Sequence, residues 1–308
     1  MGGEILLSEM ADAAAVDGRG LPDVSVATAR WFRQSVGSLM VYLGGDGPAA
    51  GVRPQDVREW QQGELEKGLA PVTVNSYLRG VKTVCSRLAG RGALADNPAA
   101  GVRFLPEPPP RPKAVREADY LAMRRAADNA RDRAIVDMLW ASGCRLGGLS
   151  SMRVDRMEAW DEGERHCFAF LVTEKGSRGR WVYVGRDKLQ GDGVHEYLLA
   201  RPEASAQELF LTLVQPWRPV SSVAVEHVLM KLKRKAGIPK KRPANAHAFR
   251  HAFAARMLDE GEDLPAVSAW LGHHSPAFTA EVYVVRSERA LRNKYFRPAR
   301  PFARKHQE

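Results

Sequence analysis

Residues 104–115, FLPEPPPRPKAV, carry five prolines. Each proline lacks the amide proton that a helix interior or a central strand needs, and each biases the residue before it toward extended backbone. No regular element can run through such a stretch, so residues 105–113 read as an extended, semi-rigid linker. It splits the 308-residue chain into two parts, each long enough to bury a core of its own.

Upstream of the linker the hydrophobic pattern is helical. VATARWFRQSVGSLMVYLG, after Ser25, places Ala29, Phe32, Val36 and Leu39 on one face, and a glycine-rich stop follows. A second helix is predicted to start near Pro54 in RPQDVREWQQGELEKGL. The third, PVTVNSYLRGVKTVCSRLAGRG, repeats Val74, Leu78, Val81 and Val84–Cys85 at spacings of three and four. These make residues 24–104 a small all-helical domain closed by the turn ADNPAAGV. Residues 1–23 show little periodicity and are expected to be a flexible tail.

Downstream, READYLAMRRAADN (116–129) and RDRAIVDMLWASG (131–143) read as helices. In CFAFLVTEKGSRGRWVYVG two β-rich arms, 166–173 and 180–185, flank a Gly/Ser/Arg turn, which predicts a β-hairpin. Further helices are predicted in SSVAVEHVLMKLKRKAG, NAHAFRHAFAARMLDEG, LPAVSAWLG, PAFTAEVYVV and SERALRNKYF. Residues 114–296 are thus expected to be mainly α with a small antiparallel β-sheet, followed by a basic tail at 297–308.

Charge is distributed unevenly. Residues 231–308 hold 17 Lys and Arg against 7 Asp and Glu, whereas residues 1–230 hold 29 of each and are neutral. KLKRKAGIPKKR (231–242) has seven positive residues and no acid. A charge run is usually a solvated face. Beside a His/Arg-rich helix it fits a polyanion such as double-stranded DNA, whose phosphates drive binding through counterion release. The candidate phosphate contacts are Lys231, Lys233, Arg234, Lys235, Lys240, Lys241 and Arg242, with Arg79 and Lys82 from the third helix. No apolar run approaches the roughly 20 residues of a membrane span. The N-terminus lacks the basic and apolar regions of a secretory signal, so a cytoplasmic location is expected. Cys85, Cys144 and Cys167 are scattered without metal-ligand spacing and read as three reduced thiols.

Four local patterns carry possible chemistry. In HAFRH (247–251), His247 and Arg250 share a helix face at i,i+3. His247 and His251 have the i,i+4 spacing of zinc ligands, but Ala248 stands where a metallohydrolase has Glu, and no third ligand is clear. A His and an Arg converging on an anion is the better functional reading, against a plain surface pair. LGHH (271–274) ends a helix, and Tyr283 follows ten residues after His273, among valines that would suit a core aromatic. Arg145 directly follows a Gly and Cys at the end of a hydrophobic helix, where a guanidinium needs an anionic partner. Lys175 falls at the hairpin turn, where lysines are usually exposed and inert.

Taken in order, Arg145, Lys175, His247-x-x-Arg250, Leu-Gly-His273 and Tyr283 resemble the set of the tyrosine recombinases, or phage-type integrases, over residues 24–296. The most specific stretch is HAFRHAFAARML…VSAWLGHHSPAFTAEVYVV. PVTVNSYLRGVKTVCSRLAGRGALADNPAAGV looks like the family's helical core-binding domain. The layout resembles Xer and integron recombinases, with no separate arm-binding domain expected.

The resemblance implies a fold with a helical core-binding domain and an α+β catalytic domain. It implies strand cleavage by Tyr283 through a phosphotyrosyl intermediate, with Arg145 and Arg250 on the phosphate, His247 near the tyrosine proton, Lys175 protonating the departing oxygen and His273 hydrogen-bonding the phosphate. It implies no metal, ATP or other cofactor. Its partners would be double-stranded DNA and three further copies of the chain on two DNA sites, with residues 286–296 docking either on a neighbour or on their own domain. One departure is Gly148, where the family usually carries Glu or Asp. The rival readings are a catalytically silent DNA-binding protein on the same scaffold, a type IB topoisomerase and, with fewest residues in its favour, a zinc hydrolase.

Overall fold

The computed structural model describes residues 5–107, 113–173 and 179–272. The chain divides into two compact units, with the boundary between Pro110 and Arg111.

The first unit is helical: α1 (Leu7–Ala15), α2 (Val26–Tyr42), α3 (Pro54–Glu66) and α4 (Pro71–Ala89). Proline at the first position of α3 and α4 suits a site whose amide has no intrahelical partner. Ser25 caps α2 by accepting from the Thr28 amide at 3.1 Å. Phe32, Val36 and Leu39 of α2 meet Leu78, Val81, Val84 and Leu88 of α4 around the fully buried Trp60. Each such side chain contributes roughly 1.5–3 kcal/mol through burial. The flexible tail expected at 1–23 is corrected here. Leu7, Met10, Ala11, Ala14 and Ala15 line one face of α1 and are buried against α2 and α4. Arg87 of α4 donates to Ala14 O at 2.7 Å and fixes the end of that helix. The expected linker also begins inside this unit, because the buried Asn75 side chain accepts from the Leu105 amide and donates to Leu105 O.

The second unit is mainly α with one small antiparallel sheet. Its described elements are α5 (Glu117–Arg125), α6 (Ala130–Ser142), α7 (Leu146–Ser150), β1 (Met157–Glu162), β2 (Arg165–Thr173), β3 (Gly179–Val184), α8 (Lys188–Ala200), α9 (Ser222–Lys235), α10 (Ala246–Asp259) and α11 (Leu264–Leu271). Strand order is β1-β2-β3, with Trp160 opposite Cys167 and Phe170 opposite Val182. Phe168, Phe170, Val172, Val182 and Val184 join the core, while Trp160, Trp181 and Tyr183 stay exposed. α6 is buried on most of its surface and lies against α5, α8 and α10. One polar node sits inside. Asp137 is fully buried, Tyr120 and Arg124 donate to its carboxylate at 3.0 and 2.9 Å, and burial pushes its carboxyl up to about 7 against their pull. Among the described residues no helix is long and apolar enough to cross a membrane.

Candidate active site

A helix ends on carbonyls that lack intrahelical partners and carry the negative end of its dipole. In α11 the Gly272 amide folds back to Ser268 O and Ala269 O. The next three carbonyls each accept from a guanidinium on a different element. Arg180 of β3 donates to Trp270 O at 2.6 Å, Arg250 of α10 to Leu271 O at 2.7 Å, and Arg145, which precedes α7, to Gly272 O at 3.4 Å. A hydrogen bond with a charged partner is worth about 1.5–3 kcal/mol, so the two short bonds from Arg180 and Arg250 hold this turn, and the longer, exposed contact from Arg145 adds less.

Arg250 is only 3% exposed, and its second terminal nitrogen donates to Gly143 O at 3.0 Å. One side chain thereby joins the C-terminal ends of α6 and α11. Gly143 ends α6 with φ +57, and a Cβ there would lie 2.8 Å from Phe253 Cβ. Glycine is needed both for the left-handed turn and for the close approach of α10. That turn brings the chain out so that Arg145 is exposed while Cys144 stays buried.

His247 sits in the first turn of α10, which Asn245 caps by accepting from the Ala248 amide at 2.8 Å. Desolvation, then the charges of Arg250 and Arg145, hold its imidazole below the ordinary value. Those charges reach His247 because the three groups share one locality. One turn on, His251 stands 4.4 Å from it, ring to ring and nearly perpendicular, and is pushed down to about 4 by burial, then by His247 and Arg250. Both imidazoles are therefore neutral at pH 7, and a neutral imidazole can accept a proton. Among the described residues no group of three His, Cys, Asp or Glu side chains is arranged to hold a metal.

Lys175, His273 and Tyr283 lie outside the described residues, as do 286–296 and the basic tail. Lys175 belongs to the connection between the paired Thr173 and Gly179. The Thr173 amide donates to Ser151 Oγ at 3.4 Å, which fixes the end of β2 to the turn after α7. Gly148, in the middle of α7, is buried.

The basic residues expected to meet phosphate divide into two groups. Lys231 lies 3.8 Å from Asp128 and 3.7 Å from Asp132, Lys235 is paired with Asp128, and Arg242 donates to Asp119 at 2.6 Å. Lys233 closes the following loop on Lys240 O and Arg242 O at 2.9 and 2.6 Å. These four are engaged within the fold, the exposed Lys235 included, whereas Arg234, Lys240 and Lys241 are exposed and, among the described residues, carry no ion pair. In the first unit, Arg79 and Lys82 lie over the half-exposed Phe104 ring at 5.2 and 5.0 Å. Arg180 was not singled out from sequence. The available signal was a charged residue inside the apolar run WVYV-bearing strand, immediately after the glycine that opens it.

This helical unit with its three-stranded sheet has the fold of tyrosine recombinase catalytic domains. The phage integrase family matches residues 113–289, and the chain belongs to that family. Among its relatives, tyrosine recombinase XerC of Xylella fastidiosa is 27% identical over 293 residues, covering 89% of this chain and 90% of the relative. Tyrosine recombinase XerD of Pseudomonas putida is 31% identical over 230 residues, covering 71% and 72%. The fold is also similar to that of the Tn1549 transposon integrase in complex with circular intermediate DNA, with TM-score 0.69 and 18% identity over 95% of this chain and all of that one. A lambda integrase dimer bound to a core site has TM-score 0.69 and 15% identity over 90% and 77%.

Proposed function

We propose that the protein is a site-specific DNA recombinase that cleaves and rejoins strands by transesterification through a 3′-phosphotyrosyl intermediate. The observation that carries this reading is the convergence of Arg145, Arg250 and a neutral His247 at the end of α11, one residue before His273. Tyr283 Oη attacks the scissile phosphorus, a Tyr–O–P bond forms and the P–O5′ bond breaks. A phenol of pKa about 10 is a weak nucleophile at neutral pH, so His247 takes its proton. Arg145 and Arg250 offset the charge that gathers on the non-bridging oxygens, and their planar donor forks match a phosphate. Lys175 protonates O5′, and His273 hydrogen-bonds the phosphate. Reversal of the step by a 5′-hydroxyl of another strand restores the diester. The positive charge comes from two arginines and a lysine, and one ester is exchanged for another, so the step uses neither a metal nor ATP.

Residues 24–104 serve as the core-binding domain and 114–296 as the catalytic domain, joined by the proline-rich segment 105–113, and each binds double-stranded DNA. Four copies on two DNA sites carry out strand exchange, with residues 286–296 as the docking segment. The DNA complex and the dimer reported for the structural neighbours support DNA binding and self-association.

Arg145→Ala, which removes an exposed guanidinium, tests the reading on a nicked DNA fragment that traps the cleaved state. Loss of one oxyanion donor costs about 2.7–4 kcal/mol, a drop of roughly 100- to 1,000-fold in cleavage. DNA binding that survives while cleavage falls by this factor fits the proposal, whereas cleavage at the wild-type rate contradicts it. Relaxation of supercoiled plasmid without a specific site would instead favour a topoisomerase.

A further inference from the structure

Three guanidiniums share the last turn of α11, and the mechanism uses two of them. The third, Arg180, projects from β3, whose register pairs it with Val172 in the main core. Among the described residues, α11 itself has a slender apolar anchorage. Val267 and Leu271 belong to a small cluster with Phe253, Ala254 and Met257, separate from the main core. Its placement therefore depends on polar ties to β3, and there are ties at both ends. Arg186, just past β3, pairs with Glu260 and Glu262 ahead of α11 at 2.8 and 3.0 Å. Arg180 donates to Trp270 O near its end at 2.6 Å. The Arg186 pairs are exposed and such pairs hold weakly. The Arg180 bond goes from a half-buried guanidinium to the negative end of a helix, where it is stronger.

We propose that Arg180 is a positioning residue for the phosphate-binding pair: by holding Trp270 it sets the turn whose next two carbonyls fix Arg250 and Arg145. The proposal rests on the reading of those two arginines given above. Without Arg180 the turn has lost its tie to the sheet, the two forks no longer share one geometry, and a misplacement of about 1 Å is enough to cost on the order of 100-fold in rate.

The test compares two versions of the DNA fragment cleaved by the wild-type chain. One carries the ordinary scissile diester and the other a methylphosphonate, in which a methyl group replaces one charged non-bridging oxygen. In both, the Tyr–O–P bond forms and the P–O5′ bond breaks, but the neutral phosphonate needs less guanidinium charge. Arg180→Ala is expected to cleave the diester on the order of 100-fold more slowly than wild type and the phosphonate within about threefold of it, with DNA binding little changed. Arg186→Ala is expected to match wild type on both. A deficit for Arg180→Ala that is equal on the two substrates would show a general structural role and overturn the proposal, as would full activity on the diester. Arg145→Ala, at an exposed side chain, is the separate control. If it fails to recover on the phosphonate, the phosphate-binding reading fails, whatever Arg180→Ala does. Should Arg180→Ala not fold, Arg180→Lys keeps one donor for Trp270 O. It is expected to show a deficit of roughly 10-fold on the diester alone, and the same deficit on both substrates would refute the proposal.

Discussion

Gly143→Ala probes the junction on which the arginine pair depends, and its cost can be worked from two separable terms. A left-handed backbone at φ +57 costs an L-residue about 1–2 kcal/mol. The new methyl would also stand 2.8–2.9 Å from Phe253 Cβ, Cγ and Cδ1, and overpacking of that kind costs about 1–3 kcal/mol. The sum is roughly 2–5 kcal/mol. Gly237 supplies the control, with φ +66 and nothing within 4 Å of a Cβ, so Gly237→Ala bears only the first term. Urea unfolding of the full chain, read on the transition of the second unit, should show a midpoint shift for Gly143→Ala about twice that for Gly237→Ala or more. Cleavage under native conditions should fall about 10-fold or more for Gly143→Ala alone, because the Gly143 carbonyl accepts from Arg250. Equal midpoint shifts together with equal cleavage rates would refute the reasoning that α10 must approach this turn closely.

Because burial and then the charges of Arg250 and Arg145 hold His247 below its ordinary value of 6.5, it is neutral around neutrality and takes up its proton only on the acid side. Cleavage should therefore be flat in His247 around neutrality and drop only at acid pH, as the imidazole takes up its proton. By NMR titration in Arg145→Ala, His247 should move toward 6.5, and an unmoved resonance would show that Arg145 does not act on it. Gly193→Ala would set a methyl 1.9 Å from the buried Asp137 Oδ2, which already accepts from Arg124 while Oδ1 accepts from Tyr120, and should cost about 3 kcal/mol or more in a thermal melt. Arg234→Ala, Lys240→Ala and Lys241→Ala should each weaken DNA binding and reduce the salt slope by about 1, whereas Lys235→Ala, shared with Asp128, should change it less.

Long amphipathic helices were legible because their spacing is redundant. α2 and α4 each repeat the apolar face over several turns, and the two arms of the hairpin show as β-branched and aromatic runs on either side of a Gly/Ser/Arg turn. α1 was missed although Leu7, Met10, Ala11, Ala14 and Ala15 follow helical spacing, because alanine is a faint hydrophobic signal in nine residues. α8 was missed because Gly191 and Gly193 look like breakers. In the fold they are close-approach points, where a Cβ would meet His166 O at 2.0 Å and Asp137 Oδ2 at 1.9 Å. β1 is almost wholly exposed and has no apolar alternation to read, so only its pairing with β2 reveals it. At the site, the order of Arg145, His247 and Arg250 was readable, but not that Arg250 is buried or that three arginines meet one helix end. Carbonyl acceptors leave no mark on a sequence. For the same reason the basic run 231–242 looked uniform, although Asp119 and Asp128, distant in sequence, engage three of its charges.

The covalent joining of Tyr283 to DNA proposed above can be tested directly. Labelled fragments flanking the native gene, some carrying nicks, are incubated with wild-type protein and with Tyr283→Phe and run on denaturing gels. A shifted, protease-sensitive band is expected with wild type alone, carrying a phosphotyrosyl linkage at Tyr283. A fragment that binds both proteins under native conditions yet gives no covalent band with wild type, or an equal band with Tyr283→Phe, would contradict the proposal.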